Sequence, residues 1–103
     1  MFTLTQIHIV TDSTCDLTDA EIKQHNVHMV PLSVQIDDIT YTDRVNLQPD
    51  TFIELMRKAE NLPKSSQPSP GAFKEVFDEL GKDGSKVISI HMTGGMSGTY
   101  QSA

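Results

Sequence analysis

Three short stretches of this chain gather small hydroxyl-bearing residues of the kind that hold an anion. The fullest is Thr93-Gly94-Gly95-Met96-Ser97-Gly98-Thr99, where the glycines allow a tight turn and backbone N–H groups can converge as a helix opens. Ser65-Ser66-Gln67-Pro68-Ser69 and Asp12-Ser13-Thr14 are the other two. The glycine turn lacks the lysine of a P-loop and the G-x-G-x-x-G spacing of a dinucleotide site, so a nucleotide fits it poorly. A carboxylate or a single phosphate, held by hydroxyls and backbone donors, fits better than a triphosphate that would bring a lysine and a metal.

Other chemistries meet specific obstacles. Ser97 could serve as the nucleophile of a hydrolase if strand ends brought His91 and Asp12 beside it. A nucleophile elbow needs glycine two residues before and after its serine, and Thr99 occupies the second position. His91, alternating with Ile90 in a strand, reads as a hydrogen-bonded structural histidine. His25 and His28 straddle an expected helix end with no third ligand at a recognised spacing, so they read as solvated surface residues and no metal site is expected. The acidic pairs Asp37-Asp38 and Asp78-Glu79, together with Glu75, read as solvated turn and helix-face residues. Cys15, the single cysteine, reads as a small filler near a loop.

These residues need a scaffold, and the pattern between them supplies one. Ile7 to Thr11 is short and β-branched, which predicts a buried strand ending in the Asp12 loop. Thr18 and Glu21 have the spacing of a capping box, and Asn26 suits the left-handed residue that stops a short helix. Val27 to Ile36 predicts one strand, free or bulged at Pro31, followed by a hairpin turn at Asp37-Asp38 into Ile39 to Thr42. Pro49 opens a second helix whose Phe52, Leu55, Met56 and Ala59 have the spacing of a buried stripe. Leu62 to Ser69, rich in proline and serine, predicts a working loop. Ser69 and Pro70 then start a third helix with the stripe Phe73, Val76, Phe77 and Leu80, ended by Gly81 or Gly84, before a strand at Lys86 to Met92. The alternation predicts an α/β fold, with a mainly parallel sheet flanked by helices and a β-hairpin excursion. The Asp12 and Thr93 loops then share the sheet edge beyond the strands' carboxyl ends, where such folds bind ligands.

Composition narrows the partners. At 103 residues the chain can hold one domain. Eight Lys and Arg against fourteen Asp and Glu give a net charge of -6, which repels a phosphate backbone and argues against nucleic acid. No apolar run approaches the roughly 20 residues of a membrane span, and the first residues lack the basic region of a signal peptide. With a lone cysteine, a cytoplasmic location is expected.

Val10-Thr11-Asp12-Ser13-Thr14-Cys15-Asp16-Leu17, Ser65-Ser66-Gln67-Pro68-Ser69-Pro70 and Ser97-Gly98-Thr99-Tyr100-Gln101-Ser102-Ala103 resemble, in order and spacing, the three motifs of the DegV family. The intervening Val30-Pro31-Leu32 agrees as well. The resemblance implies a two-domain bacterial protein that binds one long-chain fatty acid, uses no cofactor and is not itself an enzyme. Its carboxylate would be presented to a separate ATP-dependent kinase for acyl phosphate formation in phospholipid synthesis. Residues 1–103 would form part of the N-terminal α/β domain, with the second domain absent from this chain. Carried over by motif position, Ser65 and Ser97 would hold the carboxylate, and Asp12, Ser13, Ser66, Thr93 and Gly98 would belong to the supporting loops. Without the resemblance, Ser65 reads as a turn serine and Ser97 as a helix cap.

Two positions depart from the family pattern: Ser65 stands where threonine is usual, and Gly94 where a serine is common. The serine hydrolase or phosphate-binding α/β enzyme built on the Thr93 to Thr99 turn is the competing reading. Ending within the third motif, the chain is expected to be a fragment that lacks its next helix, binds fatty acid weakly, and self-associates through uncovered sheet.

Overall fold

The computed structural model describes residues 6–103. Its centre is β1 (Ile7–Asp12), which pairs in parallel with β2 (Val27–Val30) on one side and β6 (Lys86–Ile90) on the other. The register aligns Val10 with His28 and Ser89, and Thr11 with Met29 and Ile90. Thr11 adds a side-chain tie, its hydroxyl donating to the Ile90 carbonyl at 2.9 Å. The strand thus ends with Asp12 and the loop after β6 on one edge, as the alternating pattern predicts.

Helix boundaries follow local chemistry. In α1 (Asp19–Gln24) the Thr18 hydroxyl accepts the Glu21 N–H, and the Glu21 carboxylate accepts the Thr18 N–H at 3.1 Å, so the capping box is complete. Asn26 takes φ 52, the left-handed geometry that turns the chain into β2. Pro49 starts α2 (Pro49–Lys58), and Ser69 caps α3 (Pro70–Gly81) through the Ala72 N–H at 3.1 Å. Gly84, at φ 85, reverses the chain into β6. Phe73 of α3 is buried against Val10 and Val30, with Ala72, Val76, Phe77, Leu80 and Val87 around them.

Four expectations are corrected. Val27 to Ile36 is two strands in two sheets: the chain breaks at Pro31-Leu32, and β3 (Ser33–Ile36) leaves for an antiparallel sheet with β4 (Ile39–Thr42). Proline lacks the N–H a ladder needs, while the Leu32 N–H is taken by the Ser13 hydroxyl at 2.9 Å. Second, the working loop contains β5 (Lys64–Ser66), which pairs with β3, so the hairpin excursion becomes a three-stranded sheet in the order β4-β3-β5. Third, α2 forms but buries no residue; Phe52 and Leu55 are half-buried and Met56 stays exposed. Finally, the last strand stops at Ile90, and a short α4 (Thr99–Ser102) follows the glycine turn, so a turn of the awaited helix is present.

Candidate ligand site at the carboxyl ends of the strands

Asp12 and His91 anchor the two loops to each other. The Asp12 Oδ2 and His91 Nδ1 atoms are 2.6 Å apart, with side chains only 1% and 3% exposed. Asp12 Oδ1 accepts the Thr14 N–H at 2.9 Å and also the Thr14 hydroxyl. Burial works against the carboxylate's charge, but hydrogen bonds from Thr14 and His91 outweigh it and hold the Asp12 pKa below its ordinary value. Phe73 closes the site from α3, its ring edge-on to His91 at 5.2 Å between centroids.

The hydrolase geometry is half present. His91 does meet Asp12, but its Nε2 contacts the Ser89 hydroxyl, two residues back on the strand. Ser97 instead donates its hydroxyl to Thr99 Oγ1 at 3.0 Å and accepts the Thr99 N–H at 3.2 Å. Ser97 is bonded to Thr99 and not to His91, and Ser89 lies within a strand rather than on an elbow.

Each remaining site residue has a definite place. Ser13 is buried, and its hydroxyl is committed to Leu32. Ser65 and Ser66 lie on β5, opposite Val34 and Ser33, with both serines exposed. The Thr93 carbonyl closes the glycine turn by accepting the Met96 and Ser97 N–H groups at 2.9 and 3.1 Å. Ser97 is half-buried, and Thr99 beneath it is 1% exposed. Gly98 meets the side chain of Gln67, whose amide donates to the Ser102 hydroxyl at 3.2 Å. This contact joins the Ser65 segment to the Ser97 turn. Gly94 lies under Tyr100: a β-carbon there would sit 3.0 Å from the ring, so a serine would require the ring to give way.

Sequence reasoning missed two contributors. Arg44, at φ 62, straps down the first loop by donating to the Cys15 carbonyl at 3.0 Å, the Leu17 carbonyl at 2.6 Å and the Asp19 carboxylate at 3.0 Å. A cavity of about 500 Å³ lies beside it, lined by Thr14, Cys15, Asp16, Pro49 and Phe52 among others. Gln67 is the second. A single arginine or glutamine carries no local signal of such distant partners; only the left-handed backbone at Arg44 sets it apart.

Other expectations change as well. His28 is half-buried rather than solvated, edge-on to His8 with ring centroids 5.5 Å apart. Asp37 does more than meet solvent, since its carboxylate accepts the Asn61 N–H at 3.1 Å and fixes the chain beyond α2. Among the described residues no three histidine, cysteine or acidic side chains gather to hold a metal, and no helix is long and apolar enough to cross a membrane.

Residues 6–103 match the family model described as "Uncharacterised protein, DegV family". This chain belongs to the DegV family. It is 43% identical over 100 residues to a DegV domain-containing protein of Streptococcus pneumoniae, covering 97% of this chain and 36% of that protein. Among solved structures it is similar to DegV, a fatty acid binding protein from Bacillus subtilis, with a TM-score of 0.90, 40% identity, and coverage of 97% of this chain and 36% of that one. The Streptococcus pneumoniae Fatty Acid Kinase (Fak) B3 protein, solved loaded with linoleic acid, is also similar: TM-score 0.71, 30% identity, coverage 95% and 34%. The chain therefore spans about a third of the length of these relatives.

Proposed function

We propose that this chain forms the carboxylate-holding part of a long-chain fatty acid site, with Ser65 and Ser97 as the principal donors. The observation that carries the reading is the joining of the β5 segment to the glycine turn through Gln67 and Gly98, which brings the two serine-bearing loops into one region. Ser97 can turn its hydroxyl proton from Thr99 to a ligand, because the hydroxyl also accepts the Thr99 N–H and keeps that bond. Hydroxyl donors suit a carboxylate without the desolvation cost of a buried cation. Asp12, Ser13, Ser66, Thr93 and Gly98 support the loops. The fatty acid binding of two similar proteins, DegV from Bacillus subtilis and the linoleic acid-loaded B3 protein, supports this choice of ligand.

Most of the binding energy would come from the tail, at about 0.8 kcal/mol per buried methylene, and that requires an enclosing wall. In this reading a second domain outside residues 1–103 completes the wall, and the chain alone binds fatty acid weakly. The whole protein acts in the cytoplasm as a lipid-binding partner rather than an enzyme, handing the carboxylate to a separate ATP-dependent kinase; the fatty acid kinase relative supports that step. No cofactor takes part. Uncovered sheet on this chain would promote self-association.

Titration with octanoate, soluble enough to reveal weak binding, tests the site by NMR. Amide shifts should concentrate at Ser65, Ser97, Gly98 and Thr99 and be absent with octanol, which lacks the carboxylate. Shifts clustered elsewhere, or equal with octanol, would overturn the assignment. A sub-micromolar affinity for long-chain fatty acid on this chain would contradict the need for a further wall.

A further inference from the structure

The contact between Gln67 and Gly98 is closer than any other residue at position 98 would allow. A β-carbon at position 98 would lie 2.1 Å from Gln67 Oε1, 2.8 Å from Cδ and 2.9 Å from Nε2. Gly98 has φ -72, which any residue can adopt, so the glycine is required here for space and not for backbone freedom. Gln67 is exposed, yet it is held between a β5 residue paired to β3 and the buried Pro68. Its amide then reaches across 35 positions of sequence to the Ser102 hydroxyl.

We propose that Gln67 is the positioning residue that sets the spacing between the Ser65 and Ser97 hydroxyls, and that Gly98 is glycine to admit its side chain. The proposal rests on the fatty acid reading of the site. A carboxylate offers two oxygens a fixed distance apart, so two donors on separate loops are useful only if something holds the loops in register. Asp12 and His91 tie β1 to β6 and do not reach the Ser65 segment; Gln67 connects that segment to the turn. Because the far end of Gln67 is flexible, an alanine at position 98 displaces the amide and leaves the fold intact.

The test is a double-mutant cycle of Gln67→Ala and Gly98→Ala, read in two ways on the whole chain. Hydrogen exchange without ligand follows the Ser102 and Ala103 amides, which donate to the Gly98 and Thr99 carbonyls. Each single variant should lower their protection about tenfold, the size of one lost hydrogen bond, and the double variant should be no worse than Gln67→Ala. Octanoate affinity should fall in the same pattern. Additive losses, or unchanged protection in both single variants, would overturn the latch. Wild-type affinity for octanoate in Gln67→Ala would overturn its positioning role while leaving the fatty acid reading standing. Octanoate shifts absent from the wild type would overturn that reading, and with it the positioning role; the exchange data would still decide whether the latch exists.

Discussion

The two faces of the parallel sheet use the same strands to opposite ends. Toward α3 point Val10, Asp12, Val87, Ser89 and His91, and there the core and the Asp12–His91 tie are buried. Away from it point Ile7, Ile9, Ile88 and Ile90, each at least 36% exposed. The Asp12–His91 tie is covered, though Ser89 beside it stays exposed, and the four isoleucines of the opposite face are left open. Hydrophobicity alone therefore does not decide which side of a strand a helix packs on. The six residues of α1 make a rod of only about 9 Å and lie along β2, too short to cover β6 as well. Bare isoleucines in register, Ile9 beside Ile88, make a surface suited to a further layer of protein.

The sharpest way to break this contrast is to empty the covered face. Phe73→Ala should destabilise the chain by about 3–5 kcal/mol, because it removes a fully buried ring from under the sheet. Urea unfolding followed by circular dichroism would measure it, and a loss below 1 kcal/mol would mean that α3 is not the organising layer. The polar tie comes next. Asp12→Ala leaves the His91 Nδ1 and the Thr14 N–H without their acceptor and should cost about 2–3 kcal/mol.

Acid sharpens the same point. Because folding lowers the Asp12 pKa, the unfolded chain binds more protons over the range between its ordinary carboxylate value and the depressed folded one. The stability that Asp12 contributes is thus fully present above the unfolded value near 4 and is lost as pH falls through the folded value. Asp12→Asn should flatten that part of the pH–stability curve, and an unchanged acid limb would count against the tie.

The bare face should respond least in stability and most in association. Ile88→Lys is expected to change unfolding free energy by less than about 1 kcal/mol, since the side chain is already 49% exposed. Light scattering should show less self-association than in the wild type. If wild type and variant were equally monomeric at high concentration, the face would have no partner in a second copy of the chain.

Much of the fold was legible because its signals are local. Thr18 and Glu21 are three residues apart, Ser69 and Pro70 adjacent, and the stripe from Phe73 to Leu80 repeats every turn, so each can be read within one short window. Pro31 was legible as an interruption, but not as the point where the chain changes sheets, since that depends on Ser13 receiving the Leu32 N–H from 19 residues away. The stripe of α2 misled because periodicity shows which side of a helix is apolar without showing that anything packs against it. The motifs pointed to Ser65 and Ser97; nothing in a local window revealed Gln67 reaching Gly98.

By itself the sequence determined the α/β alternation, the helix ends, and the glycine turn with its place at the strands' carboxyl edge. These follow from backbone preferences and hydrogen bonds a few residues long. Tertiary structure alone decided that His91 belongs to Asp12 and Ser89 rather than Ser97, that Arg44 secures the first loop, and that Gln67 joins the two serine-bearing segments. Those contacts pair side chains tens of residues apart, and their partners are chosen only when strand register and burial bring them within hydrogen-bond distance.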